Sequence, residues 1–174
     1  MTVRDIEPDS AQNLPPADQY AVASSIVLRQ LTLAPKTRAQ LAEKLAKKGT
    51  PPQVAMAVLD RFTELGYVDD FAYAQMFIRS KIASRQLSRR ALAFELTKCG
   101  IDKVIIEQAL AQVTEDDELQ AGRLFVAKKL RTMRTLDDDT KERRLMGALA
   151  RKGYSSALAL RIIRESLSDL SPDQ

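Results

Sequence analysis

The chain has 174 residues, 45% of them hydrophobic but only 5% aromatic and none Trp, so wholesale disorder is excluded and any core must be assembled from Leu, Ile, Val and Ala. It holds no His and a single Cys, which removes Ser-His and Cys-His catalysis, most zinc sites and any internal disulfide. The formal charge of +4 is unevenly spread: the first 20 residues carry −3, residues 21–100 hold 13 Lys and Arg against 6 Asp and Glu, and residues 101–174 hold 13 of each.

Residues 1–17 are acidic, contain Pro and have few apolar anchors, so they are expected to form a disordered tail, with a second short tail at 171–174. The opening stretch lacks the basic and apolar regions of a signal peptide. No apolar run approaches the ~18 residues that span a bilayer. A cytoplasmic protein without membrane contact is expected. From Asp18 onward apolar residues recur at helical spacing, interrupted at Pro35, Gly49, Pro51-Pro52, Gly66, Gly100 and Gly153. The pattern predicts helices over about 18–33, 37–48, 52–65, 69–84, 88–99, 102–113, 117–134, 139–152 and 155–169. Thr37, Ser88, Asp102 and Ser155 stand where a side-chain oxygen caps a helix start.

Gly49, Gly100 and Gly153 lie 51 and 53 residues apart and carry a common frame. Leu41 and Leu45, Leu92 and Leu96, and Leu145 and Leu149 precede them by eight and four positions; Val54, Ile105 and Leu158 follow by five, and Leu59, Leu110 and Ile163 by ten. Lys47-Lys48, Lys98 and Arg151-Lys152 fall in the last turn before each Gly, where cations oppose the negative end of the helix dipole. Gly then closes the helix in a left-handed conformation. The fold expected is all-α: three tandem three-helix repeats, at 18–66, 67–114 and 115–170, in an elongated, curved arrangement that stacks units too small to bury their own apolar faces.

With that frame in place, Leu65-Gly66-Tyr67-Val68-Asp69-Asp70, followed by Tyr73-Ala74 and Phe77-Ile78, resembles the opening of the middle repeat of the RecX family. Arg38, Leu41 and Leu45-Ala46-Lys47-Lys48-Gly49 resemble its first repeat, Ser88, Arg89, Leu92, Glu95-Leu96 and Lys98-Cys99-Gly100-Ile101 its second, and Leu149 with Arg151-Lys152-Gly153-Tyr154 its third. The similarity spans about residues 20–168 and has an actinobacterial character; Cys99 departs from the basic or small residue usual there. The resemblance implies a regulator, not an enzyme, that binds the filament of the RecA recombinase on DNA and inhibits its ATP hydrolysis and strand exchange. It thereby implies a role in DNA recombination, repair and the SOS response. It also implies nonspecific contact with single- or double-stranded DNA, a monomeric chain and no cofactor or metal.

No acidic residue lies between Asp70 and Glu95, while Arg79, Lys81, Arg85, Arg89 and Arg90 accumulate there, and such a run makes a positive strip for phosphates. Lys98, Arg143, Arg144, Arg151 and Lys152 are further candidates for the same nucleic-acid or filament-binding surface, although capping and the helix dipole account equally for the last two. The run Arg123, Lys128, Lys129, Arg131 and Arg134 reads as a solvated face, because Asp137-Asp138-Asp139 follow directly. Those acids, and Asp69-Asp70, sit at predicted helix starts and read as caps rather than a magnesium site. Tyr67 and Tyr154 are expected to pack back on the helices they follow, and Cys99 to be a small semi-buried residue. No catalytic residue is assigned, and no phosphate-binding Gly-rich loop is present. The alternative to a filament regulator is a helix-turn-helix transcription regulator, but its charge would concentrate on one recognition helix rather than spread over several.

Overall fold

The computed structural model describes residues 16–169, and among them there are nine α-helices and no strand. The first repeat holds α1 (Pro16–Leu33), α2 (Arg38–Lys47) and α3 (Pro52–Glu64); the second α4 (Asp70–Arg85), α5 (Arg89–Lys98) and α6 (Lys103–Leu110); the third α7 (Glu115–Leu130), α8 (Asp138–Arg151) and α9 (Ser156–Ser168). The expected tails lie outside the described residues, except that residues 16 and 17 open α1. Two boundaries shift for identifiable reasons. Helix α7 starts two residues early because Thr114 and Asp117 form a reciprocal capping box. It ends at Leu130 rather than near residue 134, because Thr132 turns its hydroxyl back onto the Lys129 carbonyl and successive tight turns follow through Leu136.

The leucines that frame each glycine are among the best-buried residues of the chain: Leu41, Leu45, Leu92, Leu96, Leu145 and Leu149 are at most 1% exposed. In the first repeat they join Ala23 and Val27 of α1 and Val58, Leu59 and Phe62 of α3 in one apolar cluster. In the third, Leu145 and Leu149 pack with Leu119, Phe125 and Val126 of α7 and Ile162 and Ile163 of α9. Burying each such side chain is worth about 1.5–3 kcal/mol. The four- and eight-residue spacing matters because it keeps both leucines on one helix face.

Contacts divide the chain into two compact units, one holding the residues up to Tyr73 with Lys98–Ile105, the other Ala74–Thr97 with the residues from Ile106 onward. Helices α4, α5 and α6 each contribute to both. Within each unit the same joint recurs, in which the start of one repeat's second helix meets the glycine turn of the next repeat.

In the first unit the buried Thr37 caps α2 through the Gln40 amide and donates its own hydroxyl proton to the Cys99 carbonyl at 2.7 Å. The next amide, Arg38 N–H, donates to Asp70 Oδ1 at 2.8 Å. In the second unit the buried Ser88 caps α5 through the Ala91 amide while its backbone N–H donates to the Lys152 carbonyl at 3.1 Å. Arg89 N–H there donates to Glu118 Oε1 at 3.0 Å. Each helix start therefore has its orphan amides satisfied partly from the following repeat. Close approach demands a residue without Cβ: a methyl on Gly100 would collide with Ala39 Cβ, and one on Gly153 would lie 2.5 Å from Ser88 Oγ and 2.9 Å from Ala91 Cβ.

The acidic pairs divide their work across these joints. Asp69 caps α4 at the Ala72 amide, whereas Asp70, placed by its neighbour's cap, reaches α2 instead. Asp137 caps α8 at Thr140.

Candidate nucleic-acid interface

The corner between α4 and α5 is three residues long, and its backbone is set from α8. Gln86 adopts a left-handed conformation (φ 48°), which lets Leu87 turn inward and Ser88 cap α5. Three bonds from the end of α8 hold it: Lys152 Nζ donates to the Arg85 carbonyl at 2.5 Å, Ser88 N–H to the Lys152 carbonyl, and Tyr154 Oη to the Gln86 carbonyl at 3.1 Å. Tyr154 is 5% exposed, so it packs and latches rather than stacking on a ligand.

Burial, with Glu118 nearby, pushes the Tyr154 phenol far above its ordinary value of 10. The folded state thus keeps a proton that the unfolded chain releases as pH climbs through 10, and stability falls from there upward. Tyr154→Phe is expected to be less stable at neutral pH, having lost the bond to Gln86, but to show a shallower alkaline loss of stability. Urea midpoints measured at neutral pH and above the ordinary tyrosine value check this; parallel wild-type and variant pH profiles would contradict it.

The latch places the C-terminal end of α4, the face of α5 and the end of α8 around a groove of about 500 Å³. Its floor is Leu87, Ala91, Phe125 and Ala148, and its walls carry Arg85, Lys129, Arg151 and Lys152 with Phe94 standing 61% exposed. Lys152 Nζ sits 5.1 Å and Lys129 Nζ 5.9 Å from the Phe125 ring centroid, within range for a cation–π contact. Glu95 is the acid in the lining, and it lies 3.4 Å from Arg85. Partial burial, then repulsion from Arg85, Lys129 and Lys128, holds the Lys152 ammonium below its usual pKa. An anion entering the groove relieves that repulsion, so the site is electrostatically biased towards phosphate or carboxylate. An exposed Phe among cations adds a face on which a base can stack.

Of the ten cations that the sequence marks as candidates, Arg85, Arg151 and Lys152 line this groove. Arg79, Arg90, Lys98, Arg143 and Arg144 are exposed outside its lining. Lys81 lies over the Phe77 ring at 4.9 Å, and Arg89 donates to the Leu110 carbonyl at 3.3 Å. Lys129, which in the sequence looks like part of a solvated face, joins the lining; two of the acids that follow it are engaged at the start of α8, Asp137 with Thr140 and Asp138 with Lys141. Sequence reasoning misses Phe94 and Phe125. A signal for Phe94 does exist: it sits between Leu92 and Leu96, off their buried stripe, which leaves an aromatic facing outward. Tyr67, the counterpart of Tyr154 after Gly66, is 62% exposed and tilts against Phe62 at 5.9 Å. Cys99 is half-buried with its sulfur 4.0 Å from the Tyr73 hydroxyl. Among the described residues no helix is long and apolar enough to cross a membrane.

Comparison with known proteins gives this architecture relatives. Models of the first, second and third RecX three-helix domains match residues 23–62, 69–110 and 115–163. The chain is similar to the regulatory protein RecX of Streptomyces coelicolor, at 45% identity over 91% of this chain and 85% of that one. It is 45% identical to that of Thermobifida fusca over 87% and 82%, and 39% identical to that of Mycolicibacterium smegmatis over 93% and 88%. In fold it resembles the crystal structure of RecX from Lactobacillus salivarius, with a TM-score of 0.80 at 23% identity, covering 88% of this chain and 99% of the other. A second crystal structure, of a regulatory protein RecX, matches with a TM-score of 0.76 at 24% identity over 95% and 81%. Three matching domains in order, carried by relatives across most of the chain, establish that this protein belongs to the RecX family.

Proposed function

We propose that the protein is a regulator that binds the RecA–DNA filament and inhibits RecA's ATP hydrolysis and strand exchange, with the groove between α5, α7 and α8 as its contact to nucleic acid. Family membership supports the regulatory role, and the observation that carries the groove assignment is the grouping of Arg85, Lys129, Arg151 and Lys152 around an exposed Phe94. Regulation here needs no bond making. A ligand that holds neighbouring RecA protomers in one arrangement more tightly than in another slows the cycling that ATP hydrolysis requires. Phosphate contacts from the four cations supply sequence-independent affinity, and stacking on Phe94 favours a strand with unpaired bases.

The test is single-stranded-DNA-dependent ATP hydrolysis by the cognate RecA, with this protein titrated well below one molecule per protomer. The expected outcome is inhibition at substoichiometric amounts. No change in hydrolysis and no binding to RecA would remove the filament reading, and a footprint on palindromic operator DNA would replace it with transcriptional control.

A further inference from the structure

We infer that the third repeat carries a second, separate docking groove, built to take an acidic peptide segment of a protein partner. The groove has a volume of about 580 Å³ and runs beside the C-terminal half of α7, facing the start of α8 and the end of α9. It shares no lining residue with the groove around Phe94 and does not rest on the function proposed for that groove.

Two features set its chemistry. The first is charge: Arg123, Arg131, Arg134 and Lys141 all line it. Arg123 is committed to Glu165 at 2.6 Å and Lys141 to Asp138 at 2.7 Å, whereas Arg131 and Arg134 are exposed and form no ion pair with a described residue. These two guanidinium groups, three residues apart in the turns just beyond the end of α7, supply the bidentate donors that carboxylates accept. The second feature is apolar. Leu130 and Ala127 form part of the wall, and Leu124, on the same face of α7 one turn before Ala127, is 66% exposed. Leu124 stands outside the lining itself but beside it, and an exposed Leu next to a groove with available arginines suits a ligand that carries both acidic and apolar side chains.

The same features disfavour nucleic acid. No aromatic ring among the described residues lines this groove for a base to stack on. Carboxylates are interleaved with the cations, Asp169 in the lining and Glu165 between Arg123 and Arg161, so a continuous row of phosphates meets repulsion that isolated side-chain carboxylates avoid.

The experiment uses the whole protein and two fluorescently labelled probes, a short peptide of alternating Glu and Leu and a short oligothymidylate, with affinities read by anisotropy. Charge reversal by Arg131→Glu with Arg134→Glu is expected to weaken peptide binding by about tenfold or more while leaving oligonucleotide affinity unchanged. Leu124→Ser, which alters no charge, is expected to weaken the peptide alone by a few-fold. Because all three side chains are exposed, circular dichroism should show unaltered helicity. Failure of the wild-type protein to bind the peptide, or peptide affinity indifferent to the double reversal, overturns the inference. Equal losses for peptide and oligonucleotide would reassign the groove to nucleic acid.

Discussion

Replacing Gly153 with Ala is expected to lower the stability of the protein by about 2–5 kcal/mol, a large effect for the addition of one methyl group. Two costs combine. At φ 88° an L-residue is strained, and the new methyl would lie 2.5 Å from Ser88 Oγ and 2.9 Å from Ala91 Cβ. Relief by separation would stretch the bond from Ser88 N–H to the Lys152 carbonyl and the latch from Tyr154 to Gln86. Gly66 supplies the control, since its φ is 75° yet nothing lies within 4 Å of an added Cβ. Gly66→Ala should therefore show only the conformational cost, about 1–2 kcal/mol. Urea denaturation of both variants separates strain from contact. Equal losses would mean that the joint yields without resistance.

The second large effect concerns binding. Arg151→Glu combined with Lys129→Glu should weaken binding to single-stranded DNA and reduce the slope of log affinity against log salt by about 1.4, roughly 0.7 for each single-strand phosphate contact removed. Phe94→Ala should cost about 1–3 kcal/mol of single-strand affinity while leaving the salt slope intact. Neither change touches the core, because Lys129, Phe94 and Arg151 are exposed, so thermal unfolding should stay near that of the parent. Lys152 is deliberately spared, since its ammonium also holds the Arg85 carbonyl. Affinity and salt slope unmoved by the double reversal would remove the groove from the nucleic-acid surface.

The architecture is legible in the sequence because one physical rule repeats: a helix that buries leucines at four-residue spacing and ends on a left-handed glycine announces both its face and its terminus. Leu92 and Leu96 before Gly100 show it as clearly as Leu145 and Leu149 before Gly153. Caps at Thr37, Ser88, Asp102 and Ser155 are equally readable, since each depends on a donor at most three residues away. The groove is only half legible. Arg85 and Lys152 are 67 residues apart and meet through a bond from Lys152 Nζ to a backbone carbonyl, which leaves no trace in side-chain spacing. Lys129 is exposed, as a solvated face implies; what adjacency along the chain does not show is that it also lines the groove, while two of the acids close to it in sequence are engaged at a helix start. Asp70 does act as a cap, as its position at a helix start suggests, but on a helix other than its own, 32 residues back.

The joints at Thr37 and Ser88 also give the chain a direction. In both, the polar groups at a helix start are completed by residues that come later, Cys99 and Asp70 for Thr37 and Arg38, Lys152 and Glu118 for Ser88 and Arg89. Helix α8 differs: its start is capped by Asp137, a charged acceptor open to solvent, and is satisfied from within its own repeat. The apolar cluster of the first repeat is complete by Val68, but the polar groups at the start of α2 gain all their partners only once Cys99 has been made, and those at the start of α5 only once Lys152 has. The third repeat is thus the clasp of the second, as the second is of the first, and a polypeptide interrupted after α6 would keep the first joint but leave the amides at the start of α5 without the partners that Lys152 and Glu118 supply.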